Sequence, residues 1–464
     1  MAIKSFKQCS QSFEICLSFC HTAKPIAMSY PVRIALIAAL GGFLFGFETA
    51  VISGAEQTIE ELWELSPSQL GLTVASSLFG TVMGSMIAGI PAQRYGRKSV
   101  LFGIGLMYVF SAIGCAMAPG LMLFVLFRFV GGVAVGASSV VGPMYISEIA
   151  PANLRGRLAG SFQLMIVLGI FVAYLSNYFF ADSGENAWRW MLGIMLVPAA
   201  LFALLVRTIP ESPRWLVLNN RKAESIPVME KLGELNPARA IEAIQSSVSG
   251  SSEKLFQKRY RKPILFAVIL AMFNQLSGIN AIIYYSKRIF EMAGFDTSNA
   301  YLQSIYIGTA NLLFTLVAMA VIDRFGRKKL LIIGSLGMIL FLGLTALSFK
   351  ENVTANPFVV WYLIGFIACF AFSQGAVIWV FISEIFPNSV RSQGGSLGSF
   401  THWIMAAIIS YAFPVIVKSS ALGGYYSFLF YTAMMVLHLV FVIFFLPETK
   451  GKTLEKIQEE LGIQ

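Results

Sequence analysis

The run DRFGRKK at residues 323–329 has a near-copy, QRYGRKS, at residues 93–99. The two lie 323 − 93 = 230 residues apart, about half of the 464-residue chain. Two further pairs keep almost the same offset. SEIAPANLRG from Ser147 returns as SEIFPNSVRS from Ser383 (383 − 147 = 236), and PESPRWL from Pro210 is echoed by PETKGKT from Pro447 (447 − 210 = 237). Each copy lies beside a long apolar segment. Short polar loops repeated at half-length imply two structurally equivalent halves in a membrane, the architecture of an alternating-access carrier.

Composition agrees with a membrane setting. Hydrophobic residues make up 56% of the chain and charged residues 12%, with a mean hydropathy of +0.71. A soluble domain carries about 25% charge, so the apolar excess is expected to face lipid. The net charge of +10 sits in loops between apolar segments rather than on one soluble face, which argues against a nucleic-acid partner. Cys9, Cys16 and Cys20 precede the first apolar segment, and Cys115 and Cys369 stand singly inside others. The histidines are His21, His402 and His438, without clustered ligand spacing. No metal, cofactor or required disulfide is expected.

A helix needs roughly 20 apolar residues to cross a bilayer. Twelve such segments are expected. In the first half they lie near 32–53, 70–92, 99–118, 121–143, 160–181 and 189–208. In the second they lie near 263–287, 301–323, 329–349, 357–383, 396–418 and 425–446. The fold class is therefore all-α, with two six-helix pseudo-symmetric bundles at 31–208 and 263–446. Residues 209–262 form a hydrophilic linker with short helices, and 447–464 a tail. Residues 1–30 read as a further, dispensable tail, with Met28 as an alternative start. The Arg- and Lys-rich motif loops share one side, which the positive-inside rule makes cytoplasmic. The loop expected after the first helix carries Glu56, Glu60, Glu61 and Glu64 without Lys or Arg, and so faces outward. Twelve spans put both termini inside.

Longer matches accompany the repeats: GGFLFGFETAVISG from Gly41, RFVGGVAVG from Arg128, PMYISEIAP from Pro143, LRGRLAG from Leu154, NQLSGINAIIYYS from Asn274, WVFISEIFP from Trp379 and PETKGKTLEKI from Pro447. With PESPRWL and the two RxGRK loops, they resemble the sugar porter family of the major facilitator superfamily over about residues 30–455. The resemblance implies two six-helix bundles with a monosaccharide site between them near mid-membrane. It also implies a plasma (bacterial inner) membrane location.

Glu48 and Arg128 fall inside the first and fourth apolar segments. Charges at that depth cost a few kcal/mol or more, so the two are expected to pair. Burial opposes the charge on such a carboxylate and a neighbouring cation favours it, so a small movement can tip a proton on or off. In the resembling family, proton symporters carry Asp at the position of Glu48 and facilitative members an amide. Glu keeps the carboxylate with one more methylene.

A sugar ligand calls for amides, which both donate and accept, and for an aromatic platform. Gln163, Gln275, Asn280, Asn311 and Trp379 resemble the family's sugar-contact positions. Asn274, Gly375, His402 and Trp403 stand beside them. Here the chain departs from the pattern: Asn274 replaces a Gln, His402 replaces an amide, and Ala376 replaces a Pro after Gly375. Tyr284 and Tyr285 match an extracellular gate. Arg94, Arg97, Glu148, Arg155 and Glu211, mirrored by Arg324, Arg327, Glu384, Arg391 and Glu448, are expected to form a cytoplasmic latch, with charge pairs across the halves when the carrier opens outward. Gln93 lacks the carboxylate that Asp323 supplies, so the two copies should differ.

The expected function is monosaccharide import (hexose, pentose or related polyol) by alternating access, coupled to a proton. The partners are the sugar, the proton and the bilayer. A facilitative uniporter is the alternative. A transporter-like sensor is disfavoured by the short run after PETKGK, and no nucleophile–base pair or phosphate-cradling loop suggests an enzyme. One chain carries both halves, so a monomer is expected to suffice.

Overall fold

Hydrophobic helices repeat a packing scheme twice along the chain. The computed structural model describes residues 29–463, apart from 152, 153, 249–252, 351–355, 388 and 453 and the side chains of Arg155, Ser247, Val248, Asp323, Ser383, Leu454 and Glu455. The tail before Ser29, with Met28, lies outside the described residues. Among the described residues, twelve helices are long and apolar enough to cross a bilayer. They are α1 (Tyr30–Leu62), α2 (Pro67–Ile87), α3 (Arg97–Met117), α4 (Leu121–Ile149), α5 (Gly156–Phe180) and α6 (Ala187–Val206) in the first half. The second half has α7 (Lys258–Tyr284), α8 (Thr297–Ile322), α9 (Arg327–Lys350), α10 (Phe358–Ile382), α11 (Arg391–Ser419) and α12 (Gly423–Phe444). Helices satisfy their own backbone groups, which lipid cannot do.

In the first half α1 packs on α5, α2 on α4, and α3 on α6. Six helices later α7 packs on α11, α8 on α10, and α9 on α12. Between the halves α2 meets α11 and α5 meets α8, so the interface repeats as well. Close helix approach uses small residues: a Cβ on Gly132 of α4 would come within 1.8 Å of the Ser77 carbonyl of α2. Large apolar side chains such as Phe110, Met117, Trp361 and Phe444 stay exposed on the outer surface, an arrangement suited to lipid and not to water. Between the halves, Pro213–Leu218, Lys222–Lys231 and Pro237–Val248 form short helices around a small core of Val217, Met229 and Ile241.

Three helices differ from their expected extents. α1 continues through Glu56, Glu60 and Glu61 to Leu62, so these acids belong to a helix and not to the loop assigned them above. α7 breaks at Ser277–Gly278, where Gly278 takes φ 84°, a left-handed conformation that favours glycine. A six-residue helix, Ile279–Tyr284, follows. α10 breaks at Ser373 (φ −118°, ψ −90°), and the helix resumes as Gln374–Ile385.

Candidate functional site

The repeated loops fold into two copies of one small structure at the same end of the bundles. In the first, Gly96 has φ 90° and precedes α3. The Glu211 carboxylate accepts from the Arg97 backbone N–H at 2.8 Å and from Lys98 N–H at 3.2 Å, satisfying helix N-terminal donors. The Arg97 guanidinium donates twice to Glu148, at 2.9 and 2.8 Å. Ser212 Oγ donates to the same Glu148 at 2.5 Å.

The second copy uses the same parts. Gly326 has φ 89°, and Glu448 accepts from the Arg327 and Lys328 N–H groups at 3.0 and 3.1 Å. Arg327 donates to Glu384 at 2.8 Å, and Thr449 Oγ1 donates to Glu384 at 2.5 Å. These ion pairs lie within a half, not across the halves as expected for the latch in the outward-open carrier. Arg94 and Arg324 are exposed, and Arg391 Nε donates to its neighbour's carbonyl, that of Phe386, at 3.4 Å. The Arg155 side chain lies outside the described residues. Ser212 and Thr449 were missed in the sequence. Their place after the PE of each repeat is the signal that could have found them.

Glu48 and Arg128 do pair, deep in the first half. Arg128 Nη1 donates to Glu48 Oε1 and, at 3.4 Å, to the Glu48 carbonyl. Arg128 is fully buried, and its Nε and Nη2 have no partner among the described residues. Gly131 makes room for the carboxylate, since a Cβ there would stand 3.0 Å from Glu48 Oε1. The guanidinium is thus only partly satisfied, an arrangement far costlier in hydrocarbon than in water.

The second half gathers the amides. Because α7 unwinds at Gly278, Asn280 folds back and its Nδ2 donates to Gln275 Oε1 at 2.8 Å. Gln275 Nε2 donates to Asn274 Oδ1 at 3.0 Å and approaches the His402 ring nitrogens at 3.0 and 3.2 Å. His402 lies between two indoles, with ring centroids 4.9 Å from Trp379 and 4.8 Å from Trp403. Trp403 Nε1 is buried without a partner among the described residues. Its ring also meets Phe45 of α1, 5.4 Å away, across the two halves. Trp379 is 38% exposed although its neighbour His402 is buried.

Six predicted residues therefore come together: Asn274, Gln275, Asn280, Trp379, His402 and Trp403. Gln163 is half-buried on α5 and Asn311 buried on α8, and neither makes a hydrogen bond among the described residues. Gly375 sits just past the α10 break, its face toward Phe370.

At the opposite end the halves are fastened to each other. Arg288 donates to both oxygens of Glu56, at 2.9 and 2.5 Å, and to Glu60 at 2.6 Å. Lys418 also reaches Glu60, and Gln57 bonds both Lys287 and Glu291. Tyr301 Oη donates to the Gly54 carbonyl at 2.9 Å, Tyr174 Oη to the Ile283 carbonyl at 2.8 Å, and Ser68 meets Tyr411 at 2.9 Å. The tyrosine gate behaves differently from expectation. Tyr284 is buried on the short helix that packs against α1, but Tyr285 Oη donates to the Ser410 carbonyl inside its own half. The charged clasp went unseen because its partners lie 232 residues apart. An acidic i, i+4 pair beside an apolar helix and KR after YYS were its only traces.

A helical membrane protein of two repeated bundles, fastened to each other at one end and holding a buried cluster of amides and indoles, has the build of a transporter. The chain belongs to the family described as "Sugar (and other) transporter", which it matches over residues 34–461. It is 35% identical over 444 residues to the arabinose-proton symporter of Bacillus subtilis, covering 93% of this chain and 95% of that protein. It is 37% identical over 438 residues to the glucose transporter GlcP of Staphylococcus epidermidis, covering 92% and 96%. The inward open conformation of the xylose transporter XylE from Escherichia coli superposes with a TM-score of 0.83 at 34% identity, covering 93% of this chain and all of that one.

Proposed function

We propose that this protein carries a monosaccharide across a bacterial plasma membrane by alternating access, with a proton moving alongside it. The observation that carries the reading is the buried amide cluster of Asn274, Gln275 and Asn280 against His402 and the indoles of Trp379 and Trp403. Amides with both donor and acceptor edges suit a ligand of many hydroxyls, and an indole suits the apolar face of a sugar ring. Trp403 Nε1, buried and without a partner among the described residues, is a further donor for a hydroxyl. Pentoses, hexoses and related polyols all fit this chemistry. The relatives' names, an arabinose-proton symporter, a glucose transporter and a xylose transporter, span the same class. Gln163, Asn311 and Gly375 approach the sugar only when the halves close on it.

The positive-inside rule assigns the Arg97 and Arg327 end, and both termini, to the cytoplasm. The carrier is then shut outside, by the Arg288 clasp and Tyr284, and open inside. Glu48 takes and releases the proton. Neutralising it removes the charge that holds Arg128, which lowers the cost of rearranging the first half. The cytoplasmic motifs stiffen each half in this state and offer their charges across the interface when the inner side shuts. One chain contains every part required, so a monomer suffices.

Purified protein in liposomes tests this directly. Labelled arabinose, xylose and glucose are supplied with and without an imposed proton gradient. Uphill accumulation is expected, abolished by a protonophore. Glu48→Gln is expected to keep sugar exchange and lose accumulation. Gradient-driven accumulation at the wild-type level in that variant would remove Glu48 from the coupling step.

A further inference from the structure

A second polar cluster adjoins the amide site. His438 of α12 and Ser335 of α9 are fully buried, and Gln374 at the α10 break is 1% exposed. Ser335 Oγ donates to the Leu331 carbonyl at 2.6 Å. The same hydroxyl lies 2.8 Å from His438 Nδ1. Gln374 Nε2 reaches the same ring, 3.3 Å from Nδ1 and 3.5 Å from Nε2. Phe273 closes the ring's flank, with centroids 5.5 Å apart.

Gln374 holds two things at once. Its side chain is tied to α12, and its backbone carbonyl accepts from Asn274 Nδ2 at 3.4 Å. The other end of that Asn274 amide, Oδ1, accepts from Gln275 Nε2. α9 also presses on the break, where a Cβ on Gly334 would come within 1.9 Å of Ser373 Oγ. Three helices, α7, α9 and α12, thus converge on one irregular backbone segment, which opens the helix that carries Gly375 and Trp379. Irregular backbone at membrane depth persists only where protein groups satisfy it.

We infer that Ser335, His438 and Gln374 form a positioning unit that sets sugar specificity, by fixing the α10 break and, through Asn274, the orientation of the Gln275 amide. The inference rests on the monosaccharide reading above. None of the three residues touches the amide cluster except through Asn274. Removing their bonds leaves the ligating groups present but free to turn.

Uptake is measured in liposomes for a panel of pentoses and hexoses differing at single hydroxyls. Half-saturation and maximal rate are recorded for wild type, His438→Leu, His438→Gln and Ser335→Ala. His438→Leu is expected to raise half-saturation about tenfold, the size of one neutral hydrogen bond. It should flatten the preference between epimers with maximal rate within about twofold. His438→Gln, which keeps a donor and an acceptor, should recover most of the affinity. In a Gln275→Ala background His438→Leu should add nothing, because the two act through one amide. Ser335→Ala removes only a hydroxyl. It should move half-saturation the same way, about threefold, and it carries the test if His438→Leu does not reach the membrane. Wild-type protein that takes up no sugar overturns the monosaccharide reading and this inference with it. Wild-type uptake with unchanged half-saturation and preference in the variants overturns the inference alone. So does an undiminished effect of His438→Leu in the Gln275→Ala background.

Discussion

Replacing Arg288 with glutamine removes the cation that Glu56 and Glu60 share, and should open the outer side of the carrier. Arg288 makes two hydrogen bonds to Glu56 and one to Glu60. Glu56 is fully buried on its side chain and Glu60 is 12% exposed. Removing one partner of a buried pair costs about 3–5 kcal/mol, since the other charge stays behind. Glu60 keeps Lys418 and partial access to water, so most of the penalty falls on Glu56, and about 3 kcal/mol is the reasonable figure. The penalty applies when the outer side is shut, because opening lets water reach the carboxylates. At 1.4 kcal/mol per factor of ten, the equilibrium moves about 100-fold toward the outward-open state.

Spin labels at Leu62→Cys and Ser419→Cys read this shift. Both positions are exposed and lie in opposite halves at the outer end. Wild type should give one short distance, and Arg288→Gln a dominant longer one. Adding Glu56→Gln to Arg288→Gln should restore part of the short distance, since no buried charge is then left alone. An unchanged distance distribution in folded Arg288→Gln would show that the clasp does not hold the gate.

Gly278→Ala places a side chain at φ 84° and 2.4 Å from the Tyr431 ring. The left-handed backbone alone costs about 1–2 kcal/mol, so a lower melting temperature and at least tenfold weaker sugar binding by calorimetry are expected. Trp403→Phe keeps an aromatic ring against Phe45 and loses Nε1–H. Half-saturation for uptake should rise about tenfold, the worth of one hydrogen bond, with protein yield unchanged. Glu211→Ala and Glu448→Ala each uncap a helix, at about 1 kcal/mol, and should lower the melting temperature by similar amounts. Widely different losses would break the equivalence of the two motifs.

Much of this was readable in advance, for physical reasons. The span count follows from hydropathy, because lipid admits only continuous apolar helices. The RxGRK repeats were legible because a positive-φ glycine and a helix-capping carboxylate admit few substitutes. The Glu48–Arg128 pair was legible because lone charges at such depth are too costly. The end of α1 was not. Glu56 and Glu60 read as loop residues because their compensating cation comes from the other half. The union of Asn280 with Gln275 was also hidden, since regular helical spacing would separate residues five apart, and only the turn at Gly278 brings them together. The motif charges were read as bridges between halves when the carrier opens outward, and in this conformation they pair within each half.

That last difference bears on how the carrier moves. At the end that carries the RxGRK motifs the ion pairs fasten loops to their own bundle, so the halves can swing apart there without breaking them. At the opposite end the bonds of Arg288, Tyr301, Tyr174 and Tyr411 run from one half to the other, so that end holds the work of switching. α1 spans the distance between the events. Phe45 touches Trp403, which neighbours His402 of the sugar cluster; Glu48 holds Arg128; Glu56 holds Arg288. These three residues lie on one uninterrupted helix, within about 16 Å at 1.5 Å per residue. A helix of that length moves as a rod. Under the proposed mechanism, sugar pressing on the Trp403–Phe45 contact, a proton loosening Glu48 and the release of Glu56 are three ways of displacing the same element. Coupling follows from their shared helix, with no chain of intervening side chains needed to carry it.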